Sequence, residues 1–208
     1  MIEFKTKQNH IFTTPVWESM ITGVDNQSIK EYAHGLRDKY PGAQISNRGG
    51  WHSKELDLPL PQSLSDLIKD LTQFLNSYCS QWTGITDLIL GNWWININGK
   101  NNYNAEHDHQ NAILSAVYYV EVLADNTGDL KLHREDSSRY YLGRYKNPHT
   151  HFSMQSYITK PTCGKLVIFP AWTKHSVEIN NSDTERISIA FNFVDPQFKP
   201  NNYVDNNK

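Results

Sequence analysis

Hydrophobic residues recur with a helical period in the first third of the chain and with a strand-like alternation in the rest. Between Ser28 and Tyr40, the residues Ile29, Tyr32, Ala33 and Leu36 fall on one side of a helix that Pro41-Gly42 ends. A stronger stripe of Leu64, Leu67, Ile68, Leu71, Phe74, Leu75 and Tyr78 predicts a second helix from about Leu64 to Trp82. Ser63 with Asp66 forms an acidic variant of the capping box at its start, and Gly84 stops it. The stretch between the helices, Ser46 to Leu60, contains Arg48-Gly49-Gly50-Trp51-His52 and reads as a loop that can reach toward a site.

From Leu88 onward the predicted elements are strands: Leu88–Ile97, Ile113–Leu123, Gly128–Leu132, Phe152–Thr159, Lys165–Phe169, His175–Ile179 and Arg186–Val194. Short β-branched and aromatic strands with little helix between them predict a mainly β sandwich or jelly roll with flanking helices. The segment 133–151 is the one long irregular stretch. It carries Arg134, Arg139, Tyr140, Tyr141, Arg144, Tyr145 and His149, and a loop of that length is more often functional than incidental. No repeat, linker or charge block divides the sequence. The expected organisation is a helical and extended region at 1–87, a β core at 88–195 with 133–151 inserted, and a tail at 196–208.

Composition narrows the class. At 208 residues with 38% hydrophobic and 12% aromatic residues, the chain can bury a substantial core. A formal charge of -2 and a pI of about 6.5 give no electrostatic reason to expect a nucleic-acid partner. Cys79 and Cys163 are the only cysteines, which excludes a disulfide framework and a cysteine-rich zinc site. No stretch has the length of a membrane span, and MIEFKTKQNH lacks the apolar core of a signal peptide. These features lead to the expectation of a cytoplasmic protein without membrane association; they say nothing of oligomeric state.

The chemistry concentrates in His107-Asp108-His109, followed 66 residues later by His175 and then by Arg186-Ile187-Ser188. On an extended strand, residues i and i+2 share a face, so His107 and His109 can aim two imidazoles at one point with Asp108 turned away. A third imidazole from a distant strand completes a facial ligand set with open positions, which is the logic of non-heme Fe(II) oxygenase sites. Arg186 opens an apolar strand and can clamp a carboxylate with its planar fork, and Ser188 faces the same way. The ordinary alternative for Arg186 is a surface cluster with Asp183 and Glu185. His133, His149 and His151 read as exposed loop histidines rather than a second metal site. Trp93, Trp94, Phe169 and Trp172 read as core, with Trp172 also placed to wall a pocket.

Four segments in order, NWWININGKNNYNAEHDH, AILSAVYYVEV, GKLVIFPAWTKHSV and ERISIAFNFV, carry a resemblance. Residues from about Leu90 to Val194 resemble the double-stranded β-helix core of the Fe(II)/2-oxoglutarate-dependent oxygenases, in particular a bacterial and phage family related to prolyl hydroxylases. The resemblance implies Fe(II) held by His107, His109 and His175, 2-oxoglutarate as co-substrate, O2 as oxidant, and release of succinate and CO2. It implies that Arg186 meets the distal carboxylate of 2-oxoglutarate, with Ser188 assisting and, of the inward-facing candidates Tyr118 and Tyr119, Tyr118 as the better match. By analogy, the substrate is a peptide or protein side chain, with a small molecule also open. Two positions depart from the common pattern. His109 stands where most of the superfamily has a carboxylate, and Ala116 stands where the nearer family usually has glycine. The rival readings are a three-histidine cupin-like dioxygenase that uses no keto acid, and a non-catalytic jelly-roll binding module.

Overall fold

The computed structural model describes residues 5–8, 10–54, 59–137, 150 and 153–197. Eleven strands form two antiparallel sheets among these residues. The larger has six strands in the order β1 (Trp17–Met20), β9 (Lys165–Pro170), β6 (Leu114–Val122), β11 (Arg186–Val194), β4 (Ile89–Asn98) and β3 (Trp51–His52). The smaller has five, in the order β2 (Asn47–Arg48), β5 (Tyr103–His107), β10 (His175–Val177), β7 (Leu130–His133) and β8 (Ser156–Thr159). Between β4 and β11 the chain passes from one sheet to the other and back, which makes the paired sheets of a double-stranded β-helix.

Strand alternation explains how one sheet serves two cores. On β11, Ile187, Ile189, Phe191 and Phe193 join the cluster beneath the helices, as do Ala116, Tyr118 and Val120 of β6. The intervening residues face the smaller sheet, where Tyr119, Leu130, Leu132, Val167 and Phe169 form a second cluster. A period of two thus places Arg186, Ser188, Ala190 and Asn192 together on the inner face.

Two helices cover the outer face of the larger sheet. Helix α1 spans Asn26–Lys39 and buries Ile29, Tyr32, Ala33 and Leu36. Asp25 caps it by accepting a hydrogen bond from the Ser28 amide, 3.2 Å. Helix α2 (Gln62–Phe74) continues through a π-helical turn at Leu75–Cys79 into α3 (Ser80–Thr83). At that turn the Asn76 amide donates to the Leu88 carbonyl and accepts from the Leu88 N–H, pinning the helix to the entry of β4. The Ser63–Asp66 capping box does not form. The Ser63 hydroxyl accepts from the Asp25 backbone N–H at 2.7 Å, tying the starts of the two helices together, and Asp66 accepts from Gln62 instead.

The N-terminal region supplies three strands as well as the helices: β1 and β3 form both edges of the larger sheet, and β2 an edge of the smaller. The Ser46–Leu60 stretch, read as loop, therefore contains two short strands. Among the described residues no helix is long and apolar enough to cross a membrane. Most of the long insertion, with Arg139, Tyr140, Tyr141, Arg144, Tyr145, His149 and His151, lies outside the described residues.

Candidate functional site

His107, His109 and His175 converge between the two sheets, their candidate ligand atoms all within 4.8 Å of one another. His107 closes β5 and His175 opens β10, and the two are directly paired across those strands. His109 lies just past the strand end, where its backbone N–H donates to the Ala171 carbonyl at 3.0 Å. Ring centroids stand 4.3 Å apart for His107 and His175, and 5.0 Å for His109 with each of the others. Asp108 is outside this group.

Two of the imidazoles have their tautomer set by the backbone two residues earlier. Nδ1 of His107 meets the Ala105 carbonyl at 2.7 Å, and Nδ1 of His175 meets the Thr173 carbonyl at 2.9 Å. A carbonyl only accepts, so Nδ1 carries the proton and Nε2 keeps its lone pair for a metal. Burial, followed by the neighbouring His107, holds His109 down at about 4 and His175 at about 3; burial also lowers His107. All three are neutral near pH 7, as ligands must be.

These depressed values carry a stability cost. Between roughly pH 6.5 and the folded values, the unfolded chain binds more protons than the folded one, so stability rises with pH there. The metal-free protein should therefore lose stability as pH falls from about 6.5 toward 4. Denaturant melts across that window should reveal it; a flat profile would mean that the histidines are not buried as described.

Arg186 is 1% exposed and lies at one end of the cavity that holds the histidines. Its Nη1 donates to the carbonyls of Thr127 and Gly128, at 2.6 and 2.7 Å, while Nε is buried with no partner among the described residues. Gly128 permits this approach: it sits at φ +92, and a Cβ there would come within 2.9 Å of Nη1 and clash with the Glu178 carbonyl. The surface cluster does not exist, since Glu185 pairs with Arg37 and Asp183 with Lys100, each at 2.6 Å. A buried guanidinium held by carbonyls and with an orphaned N–H matches the shape and charge of a carboxylate. Ser188, 5% exposed, lines the same cavity.

Tyr118 is not at the site. Its hydroxyl donates to the Asn26 side chain at 2.9 Å on the helix-covered face. Its neighbour Tyr119 lines the cavity instead, and burial pushes its pKa up to about 12, so it stays a protonated donor beside Arg186. Both faces of β6 are apolar, so composition carried no parity signal; counting in twos from Ser115 would have supplied it.

Other expectations shift too. Trp94 lines the cavity with its ring 5.3 Å from that of His109, whereas Trp172 is 57% exposed. Asn98 and Asn104, flanking the histidine motif, are buried and linked at 3.4 Å. His133 belongs to β7 and contacts Ser176 at 2.8 Å.

Residues 92–192 match the sequence profile of the family described as "Putative 2OG-Fe(II) oxygenase". No curated protein matches the chain by sequence. Among solved structures, a prolyl-4-hydroxylase from Pseudomonas putida is similar with a TM-score of 0.58 and 15% identity, covering 88% of this chain and 93% of that one. A prolyl hydroxylase from Trichoplax adhaerens, solved with a hypoxia inducible factor fragment, superposes at 0.59 with 12% identity, covering 88% and 83%. HygX from Streptomyces hygroscopicus, solved with nickel and 2-oxoglutarate, gives 0.59 with 12% identity, covering 89% and 85%. At these identities the structural likeness speaks for the double-stranded β-helix alone. Residues 92–192, which carry all three histidines and Arg186, are thus similar to the 2-oxoglutarate- and Fe(II)-dependent oxygenases.

Proposed function

We propose that His107, His109 and His175 hold the Fe(II) and that Arg186 holds the distal carboxylate of 2-oxoglutarate, with Ser188 and Tyr119 assisting. The reaction proposed is hydroxylation of a peptide or protein side chain. One observation carries the reading: a buried arginine with an orphaned N–H shares a cavity with three neutral, converging imidazoles. Bound Fe(II) supplies activation of O2, which protein side chains cannot provide. The chain's own part is to fix the ligand lone pairs, neutralise a dicarboxylate and limit water in the cavity. Three imidazoles leave the centre one unit more positive than two imidazoles and a carboxylate, which favours a dianionic co-substrate.

The peptide substrate rests on the likeness to structures named as prolyl hydroxylases. The keto-acid-free cupin reading is disfavoured by Arg186, because such a site has no use for a buried cation. Anaerobic titration with Fe(II) and then 2-oxoglutarate should produce a metal-to-ligand charge-transfer band in the visible. Its absence at saturating concentrations would overturn the co-substrate assignment. A proline-centred peptide library scanned for addition of one oxygen atom addresses the substrate.

The roles of the two tyrosines separate cleanly. Tyr119→Phe should weaken 2-oxoglutarate binding about three- to tenfold, the worth of one hydrogen bond. Tyr118→Phe should leave it unchanged and cost only its contact with Asn26. Equal effects in a calorimetric titration would contradict the assignment.

A further inference from the structure

The segment Arg48-Gly49-Gly50-Trp51-His52 lies outside the matched residues 92–192, yet it sets a histidine against two residues of the cavity wall, Trp94 and Asn96. β3 pairs with β4 so that His52 stands opposite Asn96, which lines the cavity. Directly paired residues share a face, and the His52 ring accordingly stacks on Trp94 at 5.4 Å and an interplanar angle of 12°. Trp94 in turn meets His109 edge-on at 5.3 Å. His52 is thus one aromatic ring removed from the histidine triad.

The segment is anchored closely around this residue. Ser53 N–H donates to the Ile95 carbonyl and its hydroxyl accepts from the Ile95 N–H, both at 2.9 Å. The His52 carbonyl accepts from Ala43 N–H, also at 2.9 Å. Gly50 lets the strand lie against β4, since a Cβ there would stand 2.8 Å from the Asn98 side chain. His52 itself is 6% exposed, and its Nδ1 meets the Ser53 carbonyl at 2.8 Å. That carbonyl can only accept, so Nδ1 carries the proton and Nε2 presents a lone pair. Burial favours the neutral ring. Among the described residues Nε2 has no hydrogen-bond partner, although it is not sealed from solvent. Packing alone would be served by any flat ring; it does not call for a nitrogen lone pair with a fixed direction.

We infer that His52 is a substrate-binding residue whose Nε2 accepts a hydrogen bond from a backbone N–H of a bound peptide, with Trp94 as the flat wall beside it. This rests on the oxygenase reading of the triad, and it adds a specificity element from outside the matched family segment. Arg186 and the imidazole triad are all donors or metal ligands, so they cannot recognise a donor on the substrate. His52 presents a complementary acceptor beside Trp94 and Asn96, which line that cavity.

The test uses full-length protein loaded with Zn(II), which supports no redox turnover, and 2-oxoglutarate. The probe is acetyl-prolyl-glycinamide, titrated by NMR with the His52 nitrogens observed directly. The parent should bind the probe and shift the Nε2 resonance. His52→Asn keeps a donor near the Nδ1 position but has no acceptor at Nε2; it should weaken the probe about fivefold to tenfold. His52→Gln can place an amide oxygen where Nε2 lies and should recover most of the affinity. Thermal melts on both variants establish that each is folded. Parent-like affinity in His52→Asn, a His52→Gln as weak as His52→Asn, or no probe binding by the parent would each overturn the inference. Failure of the parent to bind Zn(II) and 2-oxoglutarate at all would instead fell the oxygenase reading, and this inference with it.

Discussion

Replacing Arg186 by alanine is expected to raise the Kd for 2-oxoglutarate by at least about 30-fold while leaving metal affinity nearly unchanged. The guanidinium is sealed in the protein, and among the described residues its hydrogen-bond acceptors are the carbonyls of Thr127 and Gly128. Those carbonyls orient Nη1 without neutralising the charge. Burial lowers the Arg186 pKa, with weaker opposing pulls from Tyr119 and Asp129, so an anion bound there relieves a charge that the fold leaves uncompensated. Truncating one partner of such a buried charge pair costs roughly 2–5 kcal/mol, and 1.4 kcal/mol is tenfold in Kd. Arg186→Lys should recover only part of the loss, because a point charge cannot reproduce the planar fork. Calorimetric titration of the metal-loaded variants measures both. Parent-like binding by Arg186→Ala would move the clamp elsewhere and weaken the keto-acid assignment with it.

What the sequence made legible follows from where its periodicities were strong. Arg186–Val194 was predicted with its exact ends, because Ile187, Ile189, Phe191 and Phe193 alternate with smaller or polar residues that face the cavity. The helix expected over Ser28–Tyr40 and found at Asn26–Lys39 was equally clear from its one apolar side. The edge strands were not. Asn47–Arg48 and Trp51–His52 are two residues long, too short to show any period, and they exist through pairing with β5 and β4. The placement of His52 was hidden for the same reason: its neighbour Trp94 lies 42 positions away and meets it only through the register of that pairing. Tyr118 and Tyr119 show a different limit. A two-residue period assigns faces only relative to an anchor, and an analogy by position that slips by one residue selects the opposite face.

Replacing His175 by alanine should abolish stoichiometric Fe(II) binding and, with it, the stabilisation that metal confers on the parent. His175 is the most buried of the three, its Nδ1 is fixed by the Thr173 carbonyl, and it pairs directly with His107, so no neighbouring side chain can move into its place. For the parent, metal at 100 times its Kd should add about 2.7 kcal/mol by mass action. In a domain of this size that corresponds to a rise in Tm of roughly 5–11 °C, and His175→Ala should show none of it. The metal-free variant should behave in the opposite sense. The imidazole it lacks is held at about 3 in the folded chain, so its removal should flatten the loss of stability on acidification between about pH 6.5 and 4. A variant that merely misfolds would be less stable at every pH, which separates the two explanations. His109→Asp supplies the other control. A carboxylate at that position gives the two-histidine, one-carboxylate set common in this superfamily and should still bind Fe(II). Retention of metal by His175→Ala, seen as an undiminished Tm rise, would remove His175 from the ligand set.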